Sequence, residues 1–295
     1  MRLSSNAGAM SVPSPLGLLA SIENIASLPN AYLNLSRVID DPRTTSREVG
    51  EILSEDPALA ARLLRLANSA LYGHPSRIDT IIHAVSVIGL RGVHELALAT
   101  TVMQAFDDQT DVLVSMNDFW RHSIACAIVA RILAIYAHLD TPERFFIIGL
   151  LHDIGRLIIY MAIPDTAAEI VDHAKQNRGL LYDSEKKLLG YSQSEVGYSL
   201  LKQWKLPGSV VNAIRYAHDP LGAGKYSRDA ALAHVADAIA TGLQAGCSGE
   251  THVPPLQAGA WEQLKLPEAI LTPLLEQFEI QYESAMEALM QTGGG

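Results

Sequence analysis

The sequence predicts an all-α protein, and three observations carry that reading. Nearly every segment places apolar residues at helical spacing, and strand-like alternation is hardly seen. Helix-start signals recur along the chain: Ser46, the Asp56-Pro57 pair and the Asp79-Thr80 pair each precede an apolar-periodic stretch. The connections between stretches are short, which favours antiparallel neighbours in a bundle.

Residues 1–15 are rich in Ser, Ala and Pro and are expected to form a disordered tail. Leu35, Val38 and Ile39 lay an apolar stripe on the first clear helix. Ser46 is expected to cap a helix over 47–54, with Glu48 in its favourable first turn. Asp56-Pro57 opens a helix over 58–68, with Pro57 at its start. Asp79 or Thr80 caps 81–88, and Gly89 punctuates the run before a long helix over 90–106. The stretch 107–118 is polar and acidic and is taken as the boundary between two lobes. Beyond it, helices are expected at 118–138, 143–162, 164–177, 192–204, 208–218 and 228–243. A loop to Pro255 leads into a C-terminal helical pair near 258–264 and 267–290, and Gly293–Gly295 should fray. The domain reading is a tail (1–15), an N-terminal helical lobe (16–110), a second helical lobe (111–245) and a C-terminal extension (246–295).

Composition limits the function classes. The chain has 295 residues, enough for one large or two small domains, and 48% are hydrophobic. No apolar run reaches the roughly 20 residues of a membrane span, and the N-terminus lacks the pattern of a secretory signal. Cys126 and Cys247 are far apart and form no ligand motif, which fits a reducing cytosol and a cytoplasmic protein. The net charge of −10 predicts no global attraction to nucleic acid or to an anionic membrane. A local group of Arg62, Arg65, Arg77 and Arg91 reads as solvated surface.

The sharpest chemical signal is Gly149-Leu-Leu-His-Asp-Ile-Gly155, which sets His152 beside Asp153 in an apolar run expected to be helical. An imidazole and a carboxylate buried together need partners. A divalent metal is one, since nitrogen and oxygen donors suit Zn, Mn or Fe. Ordinary hydrogen bonding is the other. His122 and Asp237, each within a different apolar helical pattern, are further candidate ligands. Cys126 lies four residues after His122, on the same helix face, and reads as a small core residue. His234 reads as incidental. Arg156 lies three residues after Asp153, so the two can pair locally, or Arg156 can reach a phosphate.

The order His122, His152-Asp153, Asp237 resembles the HD superfamily of metal-dependent phosphohydrolases. A longer series of matches resembles the HDOD family, the HD-related output domains of bacterial signalling proteins. It runs over about 24–240 and includes Leu28-Pro29, Asp56-Pro57, Leu66-Ala67-Asn68-Ser69, Ile88-Gly89-Leu90, Phe119-Trp120 with His122-Ser123, Gly149 to Gly155, Glu195-Val196-Gly197, Trp204 and Leu206-Pro207. The resemblance implies an N-terminal helical lobe packed on an HD-like helical bundle. It implies a metal quartet of His122, His152, Asp153 and Asp237, with His218 as an additional ligand or a neighbour behind the ligands. Against the related HD-GYP phosphodiesterases, Gln193 and Ala217 stand where histidines are expected and Arg156 stands where lysine is expected. A second metal then lacks ligands. The expectation is a regulatory, non-enzymatic signalling module with at most one divalent metal (Zn, Mn, Fe or Mg), acting on signalling proteins or a small-molecule ligand. The alternative is a metal-dependent phosphohydrolase acting on a nucleotide or cyclic nucleotide, with His152, Asp153 and Arg156 as catalytic candidates.

Overall fold

The computed structural model describes residues 12–22, 28–39, 41–106 and 113–290. Most of the expected tail at 1–15, the acidic stretch 107–112 and the glycines 293–295 lie outside these residues. Among the described residues the fold is all-α, with no strand. The helices are α1 (Pro15–Ala20), α2 (Asn30–Val38), α3 (Ser46–Ser54), α4 (Pro57–Ala67), α5 (Ile81–Ala105), α6 (Met116–Tyr136), α7 (Pro142–Leu151) and α8 (Ile154–Ala162). They continue with α9 (Pro164–Asn177), α10 (Leu181–Leu189), α11 (Gln193–Gln203), α12 (Gly208–Arg215), α13 (Ser227–Gly242), α14 (Ala260–Leu264) and α15 (Leu271–Met290).

Local chemistry explains the early boundaries. Asp56 caps α4 by accepting from the Leu59 amide at 2.9 Å, with Pro57 at the first helical position. Thr80 caps α5 by accepting from the His83 amide at 3.1 Å. Thr45, not Ser46, caps α3, because its extended backbone aims the hydroxyl at the Glu48 amide. Gly89, with φ 79° and ψ 164°, breaks α5 where the sequence placed its punctuation. Two helices were not anticipated. Helix α1 starts where the tail was expected to end, capped by Ser14. The nine residues of α10 carry Lys186, Lys187 and Asp183 on a short amphipathic turn pattern that read as connection.

The largest departure lies in the stretch read as one helix over 143–162. It is two helices, and His152 and Asp153 are the break between them. Asp153 has φ −104° and ψ 8°, outside the helical region. The His152 ring takes the Gly149 carbonyl at 2.7 Å, an alternative to continuing the backbone ladder.

Helix α6 is the axis of the molecule, packed by α7, α13 and α15 and buried along nearly its whole length. Helix α5 joins α3 and α4 to α7, α15 crosses back onto α4 and α6, and α1 packs on α8 and α11. By length and composition, Ile81–Ala105, Met116–Tyr136 and Pro142–Ala162 each qualify to cross a membrane, which corrects the expectation that no stretch has that character. The expectation counted uninterrupted apolar runs, whereas these stretches hold only a few interspersed charges. In the fold the most apolar windows of the second and third are 83% and 89% buried inside the protein, as helices apolar all round must be, whereas that of Ile81–Ala105 is 44% buried.

Candidate metal centre

The two glycines of the Gly149–Gly155 segment set how closely the helices meet. A Cβ on Gly149 would lie 2.5 Å from the Cys126 carbonyl oxygen and 2.6 Å from the Ala127 Cα, so only glycine lets α7 rest directly on the α6 backbone. A Cβ on Gly155 would collide with the Gln193 carbonyl and lie 2.5 Å from the Gly197 nitrogen, which fixes α8 against α11 in the same way. The helix break then turns His152 and Asp153 toward α6 and α13.

The result is one buried cluster. His122 Nε2 lies 3.3 Å from Asp237 Oδ1 and 3.9 Å from Asp153 Oδ2. His152 Nε2 lies 3.6 Å from Asp237 Oδ1 and 3.4 Å from Asp153 Oδ2. Cys126 Sγ lies 3.5 Å from His122 Nε2 and 3.9 Å from His152 Nε2. The structure therefore brings together all four residues of the expected quartet, and it adds Cys126. The donor atoms of His122, Cys126, His152 and Asp237 all lie within 4.8 Å of one another, a group able to hold a metal ion.

The donors fit such an ion. Ligand bonds of about 2.0–2.3 Å at tetrahedral angles put donor atoms roughly 3.3–3.8 Å apart. The pair distances of 3.3–3.9 Å given above fall in or next to that range, within a group whose full spread is up to 4.8 Å. His152 Nδ1 donates to the Gly149 carbonyl, which leaves Nε2 as the ring's free acceptor facing the cluster, the arrangement ligating histidines adopt. The electrostatics agree. Burial opposes charge on His122, but the Cys126 sulfur and the Asp237 carboxylate outweigh it and raise its pKa to about 10. Burial likewise opposes charge on His152, and Asp153 with Cys126 raises its pKa well above the ordinary value. Both shifts come from the sulfur and carboxylates gathered round the two rings, so the surroundings favour a positive charge at this point, and a bound metal would displace the protons from Nε2.

Asp153 is the least free of the expected ligands. Its Oδ2 accepts from Arg156 Nη1 at 2.9 Å and from Ser248 Oγ at 2.5 Å. Burial acts to raise its pKa, but Arg156 and His152 hold it far below the usual carboxylate range. Arg156 is itself buried. Its Nε donates to Glu185 Oε1 at 3.1 Å, and Glu185 Oε2 accepts the Gln193 amide at 2.8 Å. Tyr160 donates to the Ser248 carbonyl at 2.8 Å and anchors the loop that delivers Ser248. Of the two roles open to Arg156, the structure shows the carboxylate pair.

His218 is not among the four grouped donors, but Asp237 and Asp153 act on it electrostatically and its buried Nε2 has no hydrogen-bond partner among the described residues. It packs on Tyr182 with ring centroids 4.1 Å apart, and burial lowers its pKa to about 4. It is thus neutral at physiological pH, three residues beyond the end of α12. His234 is fully occupied, with Nδ1 on the Ala217 carbonyl at 2.9 Å and Nε2 accepting the Gln257 amide at 2.9 Å. Gln193 is fully buried, and its side-chain amide has no hydrogen-bond partner among the described residues.

Sequence reasoning passed over Ser248 and Glu185, and it read Cys126 as a small core residue although its i, i+4 spacing from His122 put it on the face that reaches the site. Nothing local marks Ser248 or Glu185, which arrive from distant loops and helices.

The family model for the HDOD domain matches residues 25–220. The chain belongs to the HDOD family. Its fold is similar to the crystal structure of an HDOD domain protein of unknown function from Geobacter sulfurreducens, with a TM-score of 0.78 and 23% identity over 93% of this chain and 96% of that one. A crystal structure from Shewanella amazonensis called "Putative phosphohydrolase" is 30% identical, with a TM-score of 0.65 over 92% of both chains. An uncharacterized Treponema pallidum protein is 28% identical over 201 residues, which are 67% of this chain and 38% of that relative's length. Structures called "Putative phosphohydrolase" and, from Marinobacter aquaeolei, "Putative signal transduction protein" (22% identical, TM-score 0.69 over 90% of this chain and 59% of that one) thus share this fold.

Proposed function

We propose that this HDOD chain is a non-enzymatic signalling module whose buried centre holds a single zinc ion as a structural pin. The observation that carries the reading is the donor set. Two imidazoles, one carboxylate and the Cys126 thiol surround one point, with Asp153 alongside. Four protein donors of the N, S and O type suit tetrahedral zinc, and a thiolate disfavours magnesium. A structural zinc site is closed by protein, whereas a catalytic one keeps a position for water or substrate. Here His122, Cys126 and His152 are each at most 3% exposed, and the Asp237 side chain is 13% exposed, so protein closes the point on all but the Asp237 side.

When bound, the ion would neutralise the negative charge at this junction and tie α6, α13 and the α7–α8 turn together. The chain's own residues do the rest. Gly149 sets the approach, His152 is oriented by the Gly149 carbonyl, and Arg156 with Ser248 holds Asp153 away from proton transfer. Arginine keeps its proton at any physiological pH, so it suits a fixed structural pair better than an acid role. Gln193 and Ala217 provide no ligands for a second ion, and a two-metal displacement needs both. On this reading the module works in the reducing cytosol, its partners are signalling proteins or a small ligand, and nucleic acid and membrane are not among them.

A second reading is favoured by one comparison. The 30% identical relative is named for phosphohydrolase activity, so a single-metal hydrolase acting on a nucleotide or cyclic nucleotide is the competitor. Turnover of bis-p-nitrophenyl phosphate and of a cyclic dinucleotide, with Zn, Mn, Fe or Mg supplied, separates the two. No turnover above the metal-only rate is expected. Metal-dependent turnover that disappears in Asp153→Ala would replace the proposal with the hydrolase reading.

A further inference from the structure

At the opposite end of α7 from the metal centre lies a cavity of about 660 Å³ between α2 and α5 on one side and the starts of α7 and α12 on the other. That volume is in the range of small-molecule sites. Its charge runs against the rest of the chain. The sequence has 22 Lys and Arg against 32 Asp and Glu, yet the cavity is lined by Arg37, Arg91, Arg144 and Lys205 and by one carboxylate, Glu95. Among the described residues Arg91 and Lys205 form no ion pair, and Arg37 reaches only the neutral Asn34 amide oxygen, at 3.1 Å. Arg144 has a weak partner, Asp229 at 3.5 Å, and its Nε is buried with no hydrogen bond. Four cations gathered with so little compensation repel one another unless an anion joins them.

The backbone adds to the same field. Thr141 precedes α7 and Pro207 precedes α12, neither gives a side-chain cap, and both line the cavity. The early amides of the two helices have no side-chain cap, although α7 opens on Pro142, which has no N–H, and the Arg144 amide bonds the Thr141 carbonyl at 3.0 Å; both helix starts lie at this one cavity. Leu33, Ile39 and Leu206 supply an apolar stretch of wall, beside the polar Ser36, His94 and Ser209. We propose that this cavity binds a small organic phosphate, its anionic oxygens on the Arg and Lys side chains and the two helix starts, and its carbon skeleton on the apolar wall. No lining residue is a donor of the metal centre, so this proposal stands or falls separately from the zinc reading.

Calorimetric titration of the full chain with AMP, adenosine and inorganic phosphate tests it, with Arg91→Glu and Lys205→Glu as variants. Both side chains are exposed, so the variants are expected to fold, which circular dichroism checks. The expected result is one AMP per chain and no adenosine binding. Binding should weaken with salt, and each charge reversal should reduce affinity by about tenfold or more. Amides at 143–145 and 208–211 should exchange more slowly with AMP bound. Unchanged AMP affinity in both variants, or no AMP binding up to about 1 mM, would overturn the proposal. Inorganic phosphate binding as tightly as AMP would overturn the organic part of it.

Discussion

The two ends of α7 differ in almost every physical respect. At its C-terminal end, His152 and Asp153 enter a buried cluster in which the charged groups are paired, acid beside base: Asp237, His122, Asp153, Arg156, Glu185, with the Gln193 side-chain amide left unpartnered at its edge. At its N-terminal end, about 15 Å away by helix geometry, cations of one sign line an open cavity with few partners. A saturated network rigidifies and specifies one arrangement, whereas an unsaturated one invites a ligand. The contrast teaches that the family's signature residues mark the paired, buried end of this helix, while the proposed ligand cavity lies at the other.

Substitutions break this contrast by unequal amounts. Gly149→Ala should have the largest effect, because its Cβ cannot coexist with the α6 backbone at 2.5 Å. Loss of roughly 3 kcal/mol or more is expected, seen as a collapse of the cooperative thermal transition. A normal melt would mean that α6 and α7 can separate without cost.

Arg156→Met comes next. It leaves Asp153 and Glu185 buried and uncompensated, a change that costs about 3–5 kcal/mol. Urea unfolding should show it, whereas Arg91→Gln at the cavity should stay within about 0.5 kcal/mol of the parent. Equal effects would erase the distinction between the two ends.

Acid sharpens the comparison further. His218 has a folded pKa of about 4, set by burial, against about 6.5 unfolded. Asp237 and Asp153 face it and favour its protonation, while Arg156 and His234 oppose it. Burial also lowers the His234 pKa. Between these values the unfolded chain binds more protons than the folded one, so stability falls as pH drops from about 6.5 to 4. The His218 share is on the order of 3 kcal/mol. Urea midpoints across that range should show the slope, and His218→Gln should flatten it. A slope unchanged in the variant would assign acid sensitivity elsewhere.

These effects also show what could be read from the sequence. Caps and punctuation were legible where one residue makes the local bond, as with Asp56, Thr80 and Gly89. The all-α class followed from periodicity. The break at His152-Asp153 was not legible, because apolar residues continue at helical spacing on both sides and only the packing of Gly149 on α6 decides the turn. The residues His122, His152, Asp153 and Asp237 could be listed from motif order, but their distances could not. Cys126 looked like core because burial and ligation demand the same small, apolar-tolerant side chain. The cavity left no motif at all, since Arg37, Arg91, Arg144 and Lys205 are scattered over most of the chain and meet only when α2, α5, α7 and α12 assemble.

The central claim is a closed centre with one thiolate-bound zinc. Native mass spectrometry of the full chain after incubation with zinc, beside Cys126→Ser, tests it most directly. The account predicts one retained zinc ion per chain in the parent and clear loss of retention in Cys126→Ser. Two retained ions, or one ion held equally well without the thiol, would contradict it.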